Sequence, residues 1–214
     1  FRSKEEFRNG RVHGYQCEVD PSERAWSAGI YDEARRGWLY PLDLNPKART
    51  ALKMGQWNKY RIECIGNSIR TWLNDIPVAH LVDDMTPEGF IALQVHGIGN
   101  NKEREGRQIK WRNIRIKTEN LEPALYADIH VENLVANDLS VVERKQGFRL
   151  LFDGQSTECW KSSKGDEFPS KGWGVKDGVL TANPDQSENA ERGGDIVTKK
   201  QFGPFEFKFD FMLT

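Results

Sequence analysis

The sequence lacks most of what would make it a membrane, nucleic-acid or disulfide-framed protein. No apolar run approaches the roughly 20 residues that a bilayer-spanning helix needs. Neither sign of charge dominates: 31 Lys and Arg stand against 32 Asp and Glu, a net charge of −1. That balance argues against a dedicated nucleic-acid binder or a polybasic membrane arm. The 3 cysteines, Cys17, Cys64 and Cys159, are an odd number without CxxC spacing, so they read as small core residues rather than a disulfide frame or metal knuckle. The opening FRSKEEFRNG has no apolar stretch of the kind a signal peptide requires. No sustained helical periodicity, low-complexity tract or internal repeat occurs.

What the chain has is aromatic residues and alternation. It carries 7 Trp, 11 Phe and 5 Tyr in 214 residues, with 37% hydrophobic residues, enough for a packed core and suited to pleated strands or sugar-binding surfaces. Phe205, Phe207, Phe209, Phe211 and Leu213 alternate with Glu206, Lys208, Asp210 and Met212, the pattern of a half-buried strand. Tyr60, Ile62 and Cys64 alternate in the same way, Gly66-Asn67 supplies a turn, and Ile69, Thr71 and Leu73 run back. Asn74-Asp75 marks the next corner. Residues 90–96 read as a further strand. Ile109 and Trp111 are followed by Ile114 and Ile116, a slip in phase that predicts a β-bulge near Arg112-Asn113. Short strands punctuated by Gly, Asn and Asp imply an all-β sandwich or barrel. Residues 119–146 lose the alternation and read as a connector, with a short helix or strand around 129–135.

Three segments after the connector, GFRLLFDGQSTECW, GWGVKDGVLTA and GGDIVTKKQFGPFEFKFDFML, resemble the start of the 3-keto-disaccharide hydrolase family, also described as 3-keto-glucoside 1,2-lyase/3-keto-2-hydroxy-glucal hydratase domains. The first half resembles that family's later part, through FRSKEEF, GYQCEVD, SAGIYD, GQWNKYRIECIGNSIRTWLND, GFIALQVHG and IKWRNIRIK. The resemblance implies a concanavalin A-like, jelly-roll antiparallel β-sandwich. It also implies a back-then-front order. Residues 1–118 correspond to the C-terminal part of one sandwich and 147–214 to the N-terminal part of a second, or both halves build one permuted sandwich. GYQCEVD departs from the family, where a Glu often follows the Tyr; here Gln16 stands in that place.

Alternation also sorts the candidate site. Tyr15, Cys17 and Val19 face one way, and Gln16, Glu18 and Asp20 the other. Ile91, Leu93 and Val95 oppose Gln94 and His96, and Asp210 lies on the polar side of its phenylalanine ladder. A concave polar sheet face would gather such residues into a sugar-binding groove, although polar residues on an outer face are commonly just solvated, as Glu206, Lys208 and Asp20 are expected to be. His96, with an ordinary pKa near neutrality, is the first candidate for a general base. Glu18 or Asp210 would orient it, bind a metal or protonate a leaving group. Arg2, matching a family arginine, would hold a sugar oxygen, with Gln94 and Asp20 as further substrate contacts. Trp38 and Tyr40, in RRGWLYP, are candidates to stack on a pyranose ring. Trp57, Trp111 and Trp173 are expected in the core; His13, His80 and His130 are expected at the surface. The basic run within 102–117 reads as the solvent face of a strand rather than a nucleic-acid patch. The residues fix no cofactor; a divalent cation held by histidine and carboxylates is compatible with them, and no spacing demands one.

The resemblance implies chemistry on a glycoside already oxidised to a ketone at C3: removal of the C2 proton, β-elimination of the C1 aglycone, and hydration of the resulting glucal. A non-catalytic carbohydrate-binding module and a conventional two-carboxylate glycosidase are the alternative readings. The resemblance also implies a periplasmic or extracellular location and an oligosaccharide or glycoside as the partner, with no nucleic acid and no membrane span.

Overall fold

A computed structural model describes residues 1–7, 9–95, 97, 99–100, 105–106, 108–182 and 194–213. The chain divides into two compact units, Phe1–Val135 and Ala136–Thr214. The architecture is all-β and antiparallel, as the alternation predicts. Among the described residues, the one parallel pairing involves a two-residue strand.

The first unit contains two four-stranded sheets. β1 (Lys4–Phe7), β2 (Arg11–Cys17), β3 (Ile30–Glu33) and β4 (Gly37–Tyr40) form the first, in that order and antiparallel. β5 (Tyr60–Ile65), β6 (Ser68–Leu73), β7 (Ile76–Val82) and β8 (Glu132–Asn133) form the second, with β8 parallel to β7. The predicted hairpin is present. Ile65 pairs with Ser68 across Gly66-Asn67, and Gly66 has a positive φ of 58°. Leu73 pairs with Ile76 across Asn74-Asp75, whose φ values of 52° and 66° are both left-handed, the conformation a two-residue turn needs to follow the twist of its strands.

The two sheets share one core. Tyr15, Ile30 and Tyr40 from the first pack in one cluster with Ile69, Leu73, Ala79 and Leu81 from the second. Each fully buried Ile or Leu there contributes about 1.5–3 kcal/mol. Polar bonds cross the same interface: the Thr71 hydroxyl donates to the Ala28 carbonyl at 2.6 Å, and the Tyr15 hydroxyl to Asp83 at 2.8 Å. Asp32 and Asp83 are 0% and 2% exposed, and Arg36 bonds to both, so two buried carboxylates are paired by one guanidinium. Arg35 adds a bond to Asp32 at 2.6 Å.

The second unit is smaller. β9 (Trp160–Ser162) pairs with β12 (Ile196–Thr198), and β10 (Trp173–Lys176) with β11 (Val179–Ala182), all antiparallel. The β10–β11 turn is Asp177-Gly178, both with positive φ. One helix, α1 (Val141–Gln146), precedes them, inside the stretch expected to be a connector. It has a capping box, in which Ser140 Oγ accepts from the Glu143 N–H at 3.1 Å and Glu143 accepts from the Ser140 N–H at 2.8 Å. Gly147, with a φ of 89°, ends it. The S-x-x-E signature of that cap stands in the sequence.

Several expectations are corrected. Residues 91–95, 108–117 and 203–213 belong to no strand ladder among the described residues; the bridge between Ser3 and Phe90 is isolated. Alternation survives within these segments: Phe207 and Phe209 approach at 5.1 Å, and Phe209 and Phe211 at 6.3 Å. The slip at Arg112-Asn113 coincides with a left-handed Asn113, φ 57°. Alternation sets an extended backbone, but a ladder also needs a neighbouring strand's N–H and C=O groups about 4.8 Å away. Trp57 and Trp111 are exposed rather than core, and Arg112 lies 3.9 Å above the Trp57 ring. His80 is buried within β7 instead of lying at the surface. The strand containing Gln16 ends at Cys17, so the alternation stops there: Val19 is exposed and Asp20 is buried.

Replacing Arg36 with Met should destabilise the first unit by about 3–5 kcal/mol, because two buried carboxylates lose their shared cation. Urea unfolding measures this. A loss below about 1 kcal/mol would show that Arg35 and Tyr15 suffice.

Candidate functional site

Inward Tyr15 puts Gln16 on the opposite face of β2. Pairing then carries that face across the sheet: Gln16 is the partner of Tyr31, and Tyr31 of Trp38. The row Gln16–Tyr31–Trp38 therefore lies on the outer face of the first sheet, away from the shared core. Gln16 Nε2 donates to Glu18 Oε2 at 2.9 Å and to Gln94 Oε1 at 2.8 Å. At the other end of the row the Trp38 ring meets Tyr31 at 5.2 Å and Trp26 at 4.7 Å, both edge-on. The Arg24 guanidinium lies 4.9 Å from the Trp26 ring and 4.8 Å from that of Trp38. The face thus joins a carboxylate and two amides to an aromatic shelf with a cation on it.

The main chain under this cluster is held firmly. The Glu18 N–H donates to Gly29, its carbonyl accepts from Ala28 at 2.8 Å, and the Tyr60 hydroxyl reaches the same carbonyl from the second sheet. Gly29 is required: a Cβ there would lie 2.9 Å from the Tyr40 carbonyl and 3.2 Å from the Trp38 ring. Asp20 closes the loop that follows. Its carboxylate accepts from the Ser22 N–H and hydroxyl, from Arg24 Nε at 2.7 Å and from the Trp26 N–H. Burial alone would raise the Asp20 pKa, but these donors outweigh it and hold the carboxyl at about 2.

The predicted residues fall into distinct places. Glu18, Gln94 and Trp38 share the outer face. Asp20 is committed to the loop that carries Arg24 and Trp26. Tyr40 points into the core, 0% exposed, with its hydroxyl on the His130 carbonyl at 2.8 Å, so it offers no ring face to a ligand. Arg2 donates to the Gly66 carbonyl at 2.9 Å, at the β5–β6 turn. Asp210 is exposed in the second unit. His96 lies outside the described residues. Gln16, Tyr31, Arg24 and Trp26 were not singled out as site residues, although the alternation of GYQCEVD already put Gln16 beside Glu18.

The outer face of the second sheet is built differently. Arg70 bonds to Glu63 and to the Ala124 carbonyl, while Glu63 also accepts from the Ala124 N–H. The Tyr126 ring stacks on His80 at 5.7 Å. His80 Nε2 lies 3.2 Å from the Ser68 hydroxyl, and burial, followed by the nearby Arg70 charge, lowers its pKa to about 4. A histidine neutral at ordinary pH under a strap of chain serves packing here. The described residues contain no group of three or more His, Cys, Asp or Glu placed to hold a metal ion. No helix among them is long and apolar enough to cross a membrane.

The sequence model of one family, described as a 3-keto-alpha-glucoside-1,2-lyase-like domain, matches residues 1–117 and 147–214. The chain belongs to this family. A search of curated proteins finds no match. The family match covers the outer-face residues of the first sheet and stops before the strap at 124–126 that covers the second.

Asp20 gives the loop of this 3-keto-glucoside lyase-like domain a defined acid sensitivity. Because its folded pKa is depressed, its stabilising contribution is present above the ordinary value of 3.8 and lost as pH falls towards about 2. Asp20→Asn should therefore melt below the parent at about pH 6, with the gap closing across that acid window. A gap that persists unchanged at the lowest pH would contradict the assignment.

Proposed function

We propose that the chain acts on glycosides oxidised to a ketone at C3, binding them on the outer face of the first sheet. The observation that carries this reading is the convergence of Glu18, Gln16 and Gln94 beside the Tyr31–Trp38–Arg24 shelf. Family membership supports a glycoside-acting enzyme, and the face offers what such a sugar needs: hydrogen-bonding side chains for hydroxyls and an aromatic shelf for a ring.

In this reading the C3 ketone acidifies the C2 proton. His96, two residues beyond Gln94, removes it, and the electron pair passes into the enolate. The enolate collapses to form the C1–C2 double bond as the C1–O bond breaks, and Glu18 supplies the proton that the departing aglycone oxygen takes. Water then adds across that double bond, oxygen to C1 and proton to C2, giving the 3-keto sugar. The net change is hydrolysis without an external oxidant or reductant. Gln94 binds a substrate hydroxyl, and Arg24 lies beside Trp38 as a hydrogen-bond donor. A periplasmic or extracellular location belongs to the same reading, by resemblance.

The test is turnover of a 3-keto-glucoside beside its unoxidised parent. Wild type should consume only the keto form. His96→Ala and Glu18→Gln should each lower kcat by about 10²–10⁴-fold, the range of general acid–base contributions. Saturable sugar binding without turnover of either compound would instead mark a non-catalytic carbohydrate-binding module.

A further inference from the structure

We infer that Gln16 is a positioning residue that fixes the Glu18 carboxylate for proton transfer on the outer face. The inference rests on the functional reading above.

Gln16 has no freedom to turn inward. Its neighbour Tyr15 is buried, with its hydroxyl on Asp83, and strand geometry then sends the next side chain outward. A primary amide nitrogen has two N–H groups, and two acceptors lie within reach of this one: Glu18 Oε2 at 2.9 Å and Gln94 Oε1 at 2.8 Å. Gln16 therefore bridges the end of β2 to the segment containing Gln94, which joins no strand ladder among the described residues. The Glu18 main chain is already held by Gly29, Ala28 and Tyr60. A donor held in place at the Glu18 carboxylate restricts its side-chain torsions.

The chemistry of the amide matters as much as its reach. It donates to Glu18 without carrying charge. A glutamate here would set two carboxylates at hydrogen-bond distance, and such pairs hold a shared proton to higher pH. Among the described residues, the nearby groups with a resolved shift, Cys17, Tyr60 and Asp20, do not change charge near neutrality. Burial pushes the Cys17 thiol up to about 12, burial also raises Tyr60, and Asp20 stays ionised because its pKa is held at about 2. His96, the remaining partner in the proposed chemistry, is retained in every variant below.

The experiment compares wild type, Gln16→Ala and Gln16→Glu, each checked for a native-like melt, with a 3-keto-glucoside as substrate. Gln16→Ala should lower kcat by roughly tenfold or more while KM stays within about twofold. Gln16→Glu should raise the pKa that Glu18 contributes to the kcat/KM profile by about one unit or more. Profiles that superimpose on wild type overturn the inference. A ¹³C NMR titration of the Glu18 carboxyl, assigned with Glu18→Gln, reads the same coupling without turnover. Its midpoint should rise in Gln16→Glu, and an unchanged midpoint overturns the inference whether or not the protein is active. Wild type that turns over no 3-keto-glycoside, with a Glu18 midpoint that still rises, removes the functional reading and leaves Gln16 in control of the carboxylate.

Discussion

The first unit depends on one buried charge arrangement. Arg36, at the turn between β3 and β4, bonds to Asp32 on its own sheet and to Asp83 just past β7 on the other. Tyr15 donates to the same Asp83, and both Arg35 and Arg36 lie over its ring, at 5.3 and 6.0 Å. Buried carboxylates are tolerated only where cations and donors satisfy them, so this cluster admits few alternative registers between the sheets. Burial by itself would raise the Asp83 pKa. The bonds from Arg36 and Tyr15 outweigh it and keep the carboxyl below its ordinary value.

That constraint reaches the surface through strand geometry. A Tyr15 held inward makes Gln16 point outward, and the β2–β3–β4 pairing aligns Gln16 with Tyr31 and Trp38. The Asp20 loop then returns Trp26 and Arg24 to the same face. A core ion network, three paired strands and one capped loop together place every side chain of the proposed site that the structure describes, apart from Gln94, which Gln16 itself reaches.

The two outer faces of the first unit are treated unequally. On the second sheet Arg70 and Glu63 tie down the chain around Ala124, Tyr126 covers His80, and β8 pairs with the edge of β7. The stretch 119–135 thus belongs physically to the first unit, although it lacks alternation and falls outside the family match. Its hydrogen bonds run largely to side chains and to one short parallel pairing, which leave no periodic mark in sequence. The first sheet keeps a polar and aromatic face.

Much of the architecture was legible from alternation and turn chemistry. The hairpins at Gly66-Asn67 and Asn74-Asp75 follow from local backbone preference, as does the Asp177-Gly178 turn, and these need no distant partner. The family was legible too, from the order of short motifs around GWGVKDGVLTA and GQWNKYRIECIGNSIRTWLND. Alternation likewise put Gln16 with Glu18, and Gln94 opposite its apolar neighbours. Less legible was which extended segments find a ladder: residues 205–213 alternate as cleanly as any in the chain yet pair with nothing among the described residues, because pairing is a property of two segments and alternation of one. Tyr40 and Trp38 differ by two positions in one motif, and only the closing of the sheet over the core separated a buried ring from a surface one. The sequence by itself determined the period, the turns and the family, since each is written in neighbouring residues. The tertiary structure alone decided that Asp20 caps a loop, that His80 is sealed under Tyr126 and that Gln16 holds Glu18, since each requires groups brought together from elsewhere along the chain or across a folded loop.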